Sequence, residues 1–422
     1  MAPVPRAIAR LLLIGLGFEV AAAARTVLPT GRSWGSARVV DPRVRHALAR
    51  SGLAEAVPVD LVRHVLAFVP RPPQVAMSPC TEAALLWQRS GDSLPPLRAP
   101  SGAHAIVDIK FFPGGGRLLI TGASGTSFVW SAWSGHLLQV LRDGHAPGSR
   151  VFEAQVFPDG ERVVTLGSDS AVVWSVGTGR ALQRLGMRER GSEHRVVRVL
   201  PAGVVVTGAS RIRGDPAIVW GFEGRALHEL GQKQDLITFL EVSPCGEKLV
   251  TADLTSLALW SASTGALERR MTAQGWVHGA SISRGGATIS IASDGQILLW
   301  SAGDVRSLPV SGPVLFQALL GHRLVAFARS EAGIWDTDSG ARLCTLRDAA
   351  GASRAAVSAG VVAACGGGGW GEEAKVWSRV WDAGSCEVLH AMELDTDSES
   401  RGDLLTSLCS VAVGPAGSVL ED

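Results

Sequence analysis

Short apolar runs that end in tryptophan recur along most of the chain. Each run has four residues, and the eight runs occupy 84–87, 127–130, 171–174, 217–220, 257–260, 297–300, 332–335 and 378–381. Successive tryptophans are 35 to 46 residues apart, with a mean of 42. Apolar runs this short, bounded by turn residues, are typical of buried strands. The pattern therefore predicts a small strand-based unit that is repeated along the chain.

The residues on either side of each tryptophan predict further strands in every repeat. After the tryptophan comes a hydroxyl residue followed by glycine, as in Thr178-Gly179, and then an apolar residue such as Leu182. Ahead of it stand Pro-x-Gly sequences, as in 158–160 and 244–246, each followed by a β-rich run. Proline and glycine fit the special backbone angles of tight turns. Four short strands joined by turns predict one antiparallel sheet per repeat.

These repeats resemble the WD40-repeat family from about Ala83 to the C-terminus. The family's Trp-Asp pair stands at 335–336 and 381–382, while most other repeats have Trp-Ser. The resemblance implies an all-β propeller of four-stranded antiparallel blades. It also implies a buried hydrogen-bond network, structural and not catalytic, which is most complete at His145, Thr165, Asp169 and Trp174. The other residues to which the resemblance gives structural roles are Trp130, Trp220, Asp253, Trp260, Asp294, Trp300, Trp335 and Trp381.

The two ends of the repeat region predict how the ring closes. Trp87 has a strand after it but no evident strand pair ahead of it, whereas 408–413 and 418–420 look like two strands that never reach a tryptophan. Joined in one sheet, these halves would remove both exposed edges. The composite blade and seven complete ones give eight by count. Seven, the commoner number in the resembled family, is the alternative.

The first 82 residues differ from the repeats. Residues 1–30 contain arginines, a short apolar run and small residues, which fit a targeting segment or a docking helix. Residues 31–82 form a predicted helical extension, with helix-like periodicity over 43–69. Within it, 57–70 resembles the opening of an F-box, although the later helices of an F-box are missing. An amphipathic helix that caps the propeller is the other interpretation.

Composition narrows the range of functions and compartments. The chain has 40 Lys and Arg against 39 Asp and Glu, a formal net charge of +1 at pH 7. This balance excludes a globally basic nucleic-acid binder. The six cysteines have no metal-ligand spacing and are expected to be unpaired thiols of a reducing compartment. Together these features favour a cytoplasmic protein, with organelle or secretory targeting through 1–25 as the alternative and no transmembrane segment.

The sequence carries no catalytic signature. It contains no GxSxG, P-loop, HExxH or dinucleotide motif. The polar residues of the predicted innermost strands are single and of mixed sign, so we expect no metal and no cofactor. The resulting prediction is a non-enzymatic scaffold that binds protein or peptide partners as a single-chain propeller within a complex. The alternatives are a substrate-receptor subunit of a ubiquitin ligase, through the F-box-like helix, and a propeller enzyme.

The loops at one end of the repeats supply a candidate partner surface. Loops between successive repeats and loops just before the tryptophan strand are predicted to open on the same face of a propeller. Arginine and tryptophan dominate interface energetics, and both occur in these loops. The candidate residues are Arg150, His194, Arg195, Arg211, Arg213, Asp235 and Trp276. As a group they predict an acidic or aromatic peptide partner, attracted by local positive charge.

Overall fold

The described residues fold almost entirely into short β-strands joined by turns. The computed structural model describes residues 75–79, 83–87, 93–98, 106–395 and 409–413, except for 133, 187–195, 204, 209–215, 222, 232–236, 274, 284–285, 287, 294, 302–303, 359 and 369–374. Within these ranges there is no α-helix. The predicted targeting segment, the helix-like stretch 43–69 and the F-box-like segment 57–70 lie outside the described residues.

Thirty-two strands pair into eight four-stranded antiparallel sheets, called blades here. Blade 1 contains β1 (Val75–Pro79), β2 (Ala83–Trp87), β3 (Ser93–Arg98) and β32 (Cys409–Val413). Blade 2 contains β4 (Ile106–Phe111), β5 (Arg117–Gly122), β6 (Ser127–Ser131) and β7 (Leu137–Leu141), and blade 3 contains β8 (Val151–Val156), β9 (Arg162–Gly167), β10 (Ser170–Ser175) and β11 (Ala181–Gly186). Blade 4 contains β12 (Val196–Val199), β13 (Val205–Gly208), β14 (Ala217–Trp220) and β15 (Ala226–Leu230), and blade 5 contains β16 (Phe239–Val242), β17 (Lys248–Ala252), β18 (Ser256–Ser261) and β19 (Leu267–Thr272). Blade 6 contains β20 (Gly279–Ile282), β21 (Thr288–Ser293), β22 (Gln296–Ser301) and β23 (Asp304–Pro309). Blade 7 contains β24 (Val314–Leu320), β25 (Arg323–Ala328), β26 (Ala332–Asp336) and β27 (Arg342–Thr345), and blade 8 contains β28 (Ala352–Ser358), β29 (Val361–Gly368), β30 (Lys375–Asp382) and β31 (Val388–Asp395).

The blades form a closed β-propeller. In blades 2 to 8 the strands pair in chain order, and the first strand of each blade contacts the first strand of the next. These first strands are therefore the innermost ones, as predicted. Strand β32 contacts both β4 and β28, so it occupies the innermost position of blade 1. An all-β propeller of four-stranded antiparallel blades is thus confirmed.

Blade 1 confirms that the two ends of the propeller share a sheet. It corrects how many strands each end contributes, because three come from the N-terminal side and one from the C-terminal side. Strand β32 pairs antiparallel with β1, from Val75 opposite Val413 to Pro79 opposite Cys409. The prediction of two C-terminal strands followed by two N-terminal ones was wrong, because β1 already lies ahead of β2. Its sequence, Val75-Ala-Met-Ser-Pro79, is short and ends in proline, which hides the strand signal. Residues 75–79 therefore belong to the propeller and not to a helical extension.

The tryptophan strands build the core between neighbouring blades. A register shift just before the tryptophan recurs where the third strand pairs with the fourth, as between Val173 and Trp174. Trp174 is fully buried among residues of its own blade and of blade 2, including Phe112 and Leu119. Trp260 and Trp300 are likewise buried against the preceding blade. The prediction that these rings lie between blades is confirmed, and the other buried tryptophans among the described residues are Trp130, Trp220, Trp335, Trp377 and Trp381.

The cysteines correct another expectation. Cys344 on β27 and Cys386, in the turn between β30 and β31, form a disulfide with their Cα atoms 6.4 Å apart. Cys365 is also disulfide-bonded, and Cys245 is a free cysteine. The expectation of unpaired thiols was wrong at these bonded positions, because pairing depends on proximity across blades, which the wide sequence spacing conceals. The cysteines therefore give no support to a reducing compartment.

Candidate functional site

Blade 3 contains a continuous hydrogen-bond network around His145. The imidazole Nδ1 lies 2.9 Å from Asp169 Oδ1, and Nε2 lies 2.7 Å from Thr165 Oγ1. The indole Nε1 of Trp174 donates to the same Thr165 oxygen at 2.8 Å. One assignment satisfies every group: Nδ1–H donates to the carboxylate, and the threonine hydroxyl donates to Nε2. The four residues singled out from the sequence are thus joined in space.

The environment of this network fixes its charges. Burial lowers the pKa of His145 and outweighs the opposite effect of the Asp169 carboxylate. Burial would raise the pKa of Asp169, but hydrogen bonds from the Ser149 hydroxyl, the Ala146 N–H and His145 lower it well below its usual range. The network is therefore a neutral histidine held by an ionised aspartate. With Thr165 and Trp174 fully buried, it anchors loop to sheet and offers no room for a substrate.

Other blades keep only part of this arrangement. Trp220 Nε1 donates to Thr207 and Trp260 Nε1 donates to Thr251, each at 2.8 Å. Both threonines are buried, so each indole N–H has the acceptor that it needs away from water. Trp130 Nε1, in contrast, is buried without a hydrogen-bond partner. The stability of the blades therefore depends on packing more than on the complete network.

Asp253 does not occupy the position of Asp169. In blade 3 the turn lies between the pair Leu166 and Ala171, and in blade 5 it lies between Ala252 and Leu257. This register aligns Asp253 with Gly167, where a Cβ atom would approach the His145 ring to 2.6 Å. Asp253 instead accepts hydrogen bonds from the N–H groups of Thr255 and Ser256 and from the Ser256 hydroxyl. It caps its own turn, and the match made from sequence spacing was wrong. Asp294 lies outside the described residues.

Polar side chains of the innermost strands reach from one blade to the next. Asp108 Oδ2 accepts from the N–H of Ala154 at 3.1 Å, and Glu153 Oε2 accepts from the N–H of Val197 at 2.9 Å. An innermost strand has one edge without a strand partner, and these carboxylates satisfy its N–H groups. Ser281 Oγ acts in the same way toward a backbone N–H of blade 7. The single polar residues predicted on these strands thus connect neighbouring blades.

Cations balance these carboxylates across the blades. Arg198 donates to Glu153 at 2.7 Å and to Glu241 at 3.3 Å, and Lys110 lies 3.4 Å from Asp108. Burial would lower the pKa of Arg198, but Glu153 and Glu241 raise it above its ordinary value. Burial raises the pKa of Asp108, and Lys110 partly offsets this effect. The acids are therefore engaged in ion pairs and backbone contacts, which is a structural use of charge.

The loop face is the remaining candidate surface. Ser168 N–H donates to the Arg150 carbonyl at 2.8 Å, and Val277 N–H donates to the Leu254 carbonyl at 2.8 Å. These contacts join the loops between blades to the turns before the tryptophan strands, which confirms that both open on one face. Arg150 is exposed there, and Trp276 is 61% exposed. His194, Arg195, Arg211, Arg213 and Asp235 lie outside the described residues.

Leu254 was missed in the sequence but stands out in the structure. It lies in the turn between β17 and β18 and is 41% exposed, next to the loop that carries Trp276. The sequence did carry a signal for its exposure: an apolar residue stands between Asp253 and Thr255, in a tight turn that the core does not cover. Trp276 and Leu254 are thus an exposed apolar pair in neighbouring loops of this face.

Comparisons with known proteins identify the fold. No family model matches the chain, and no curated protein matches it either. Among solved structures, the chain is similar to the crystal structure of the computationally designed Ika8 protein, crystal packing No. 1 in P63, with a TM-score of 0.56 and 20% identity. The alignment covers 69% of this chain and 88% of that one. The likeness shows a shared fold and nothing about function.

The described residues contain neither a metal-binding cluster nor a helix that could cross a membrane. No three His, Cys, Asp or Glu side chains come together there in a way that could hold a metal ion. No helix among those residues has the length and apolar character that crossing a membrane requires.

Proposed function

We propose that this protein is a non-enzymatic interaction scaffold of the WD40 type, which binds protein or peptide partners on its loop face. The observation that carries the proposal is the exposed pair of Trp276 and Leu254. Tryptophan is among the residues that contribute most at interfaces, and its exposure in the free protein costs solvation that a partner would recover. A rigid closed ring is a suitable base for such a surface because it presents loops without deforming.

Charge on the same face indicates the chemistry of the partner. Arg150 is exposed on the loop face, and the sequence adds Arg195, Arg211 and Arg213 as candidates, which lie outside the described residues. Arginine on the same face as an exposed tryptophan favours a peptide with acidic and aromatic residues. The use of the innermost acids in contacts between blades supports a binding role over a catalytic one, since those carboxylates are engaged by backbone N–H groups and cations.

Affinity capture with matched variants tests this proposal. The tagged parent chain is compared with a double variant, Trp276→Ala with Leu254→Ser, and with Leu182→Ala, which alters an exposed leucine on the outer strand β11. Co-purifying proteins are quantified by mass spectrometry, and thermal melting checks that each variant is folded. We expect the double variant to lose specific partners that the control retains. Recovery of the same proteins by all three chains would contradict the proposed surface.

A further inference from the structure

A turn that recurs in most blades places one residue in a left-handed conformation. In the link between the third and fourth strands, the N–H of this residue donates to the carbonyl four residues earlier, as Gly179 does to Ser175 and Gly265 to Ser261. The φ angles of Gly179, Gly265 and Gly340 lie between 67° and 75°. Blade 8 makes the same turn with Cys386, whose φ is 62° and whose N–H donates to Asp382 at 2.8 Å.

A cysteine in this conformation requires a compensating interaction. Side chains with a Cβ atom avoid positive φ, and such residues persist where the surrounding structure over-determines them. Glycine fits the turn in the other blades without strain. The replacement of glycine by Cys386 is therefore a local cost that something else in the fold offsets.

The residue that this turn faces on the preceding blade also differs at the junction of blades 7 and 8. The turn glycine faces the fourth strand of the preceding blade: a Cβ at Gly265 would lie 2.6 Å from His228, and one at Gly340 would lie 3.2 Å from Arg306. His228 and Arg306 are the third residues of β15 and β23. The third residue of β27 is Cys344, the disulfide partner of Cys386. One junction between blades thus differs from the others at both of its positions at once, and both positions hold cysteine.

We propose that Cys344 and Cys386 form a redox-responsive staple between blades 7 and 8. Oxidation by a small-molecule disulfide such as glutathione disulfide proceeds in two exchange steps. The thiolate of Cys344, the more exposed of the two, attacks the oxidant, forms a mixed disulfide and releases one thiol. The thiolate of Cys386 then attacks the Cys344 sulfur and releases the second thiol. Two cysteine thiols lose two electrons and two protons, and one oxidant disulfide becomes two thiols.

The staple lies next to the blade that closes the ring. It joins cysteines 42 residues apart in the chain and ties blade 8 to blade 7. On its other side, strands β28 and β29 of blade 8 contact β32 of the composite blade. Oxidation therefore restrains the blade beside the closure, and reduction leaves that blade held by packing and by the strained Cys386 turn.

The first test is direct detection of the bond in the full-length protein. After incubation with glutathione disulfide, peptide mapping without reduction should recover the peptide of Cys344 linked to that of Cys386. After incubation with dithiothreitol, both thiols should be alkylated by iodoacetamide. Alkylation of both residues in the glutathione-disulfide sample would overturn the proposal, and so would a linked peptide that dithiothreitol leaves intact.

The second test separates the staple from the other cysteines. The melting temperature of the parent should fall by roughly 4–8 °C on reduction, given typical disulfide effects. The variants Cys344→Ser and Cys386→Gly should lose this part of the shift, while the bond of Cys365 contributes equally to all three chains. Under reducing conditions Cys386→Gly should melt above Cys344→Ser, because glycine relieves the positive φ. An equal redox shift in parent and variants would overturn the staple.

Discussion

Ile120 stands beside Trp130 in blade 2 at the position where blade 3 has Thr165, the acceptor of the tryptophan N–H. Trp130 pairs with Leu118 across the sheet, as Trp174 pairs with Val163 in the next blade. Two residues after these partners on the second strand, blade 2 has Ile120 and blade 3 has Thr165. The indole N–H of Trp174 therefore reaches a hydroxyl, whereas that of Trp130 is buried without a partner.

A threonine at position 120 should satisfy this orphaned donor. Ile120→Thr and Ile120→Val both shorten the side chain by one non-hydrogen atom at a fully buried site, and only the threonine carries a hydroxyl oxygen in place of a methyl group. We expect the threonine variant to be more stable than the valine variant by about 1 kcal/mol, the usual net value of such a bond. Urea unfolding of the two variants measures the difference. A threonine variant that is no more stable than the valine variant would contradict the shared register.

The buried tryptophans should differ in what replacement costs. Trp→Ala at Trp174, Trp260 or Trp300 should lower the free energy of unfolding by about 3–5 kcal/mol, because each leaves a cavity between blades. Trp→Phe should cost more at Trp174 and Trp260 than at Trp300, since the first two also lose a bond to threonine while Ile291 holds that position in blade 6. Chemical denaturation gives both comparisons. Solvent-quenchable fluorescence from most of these rings would show that the register is wrong.

Removal of strand β32 should open the propeller. Deletion of 405–422 takes away the partner of β1 and the innermost strand of blade 1, which exposes strand edges. We expect aggregation or a large loss of stability, measured by size-exclusion chromatography and thermal melting. Deletion of 416–422 keeps β32 and serves as the control. A chain without β32 that remains monomeric and melts with the parent would exclude closure through this strand.

Acid should weaken blade 3 through His145. Burial lowers its pKa below the ordinary value of 6.5, so on acidification the unfolded chain takes up a proton before the folded one does. The free energy of unfolding should therefore fall as the pH drops below about 6.5. His145→Gln should reduce this slope, because it removes the buried imidazole. Burial also lowers the pKa of His390, which supplies part of the remaining slope. Denaturant titrations at several pH values between 5 and 7 measure these slopes, and equal slopes for parent and His145→Gln would exclude the effect.

Charge reversal on the loop face should abolish partner binding without unfolding the ring. Arg195, Arg211 and Arg213 changed together to glutamate should lose the partners that the parent captures, because their attraction for an acidic peptide becomes repulsion. The melting temperature should change little, since surface substitutions of this kind have small effects on stability. If the triple variant captures the same proteins as the parent, these arginines are not the binding surface.

The repeat pattern predicted the blades well because it reports local physics. Strand, turn and tryptophan positions depend on residues close in sequence, and the network at His145, Thr165, Asp169 and Trp174 follows from that register. Two features depend on contacts between distant segments and were misjudged: the place of β1 and the pairing of Cys344 with Cys386. The role of Asp253 was also misjudged, although its contacts are local. Asp169 stands five residues ahead of Trp174, whereas Asp253 stands seven ahead of Trp260, so the strand register places the two aspartates at different positions of the turn.

The pairing of β1 with β32 also has a consequence during synthesis. The first three strands of blade 1 leave the ribosome long before β32, the innermost strand of that blade. The edge of β1 that pairs with β32 is therefore unpaired while blades 2 to 8 are synthesised. Each of those seven blades has all four of its strands close together in the chain and can form as it emerges. The ring itself can form only after the last strand has appeared. Until then the unpaired edge of β1 is open to pairing with other strands, which is the liability that this way of closing the ring carries.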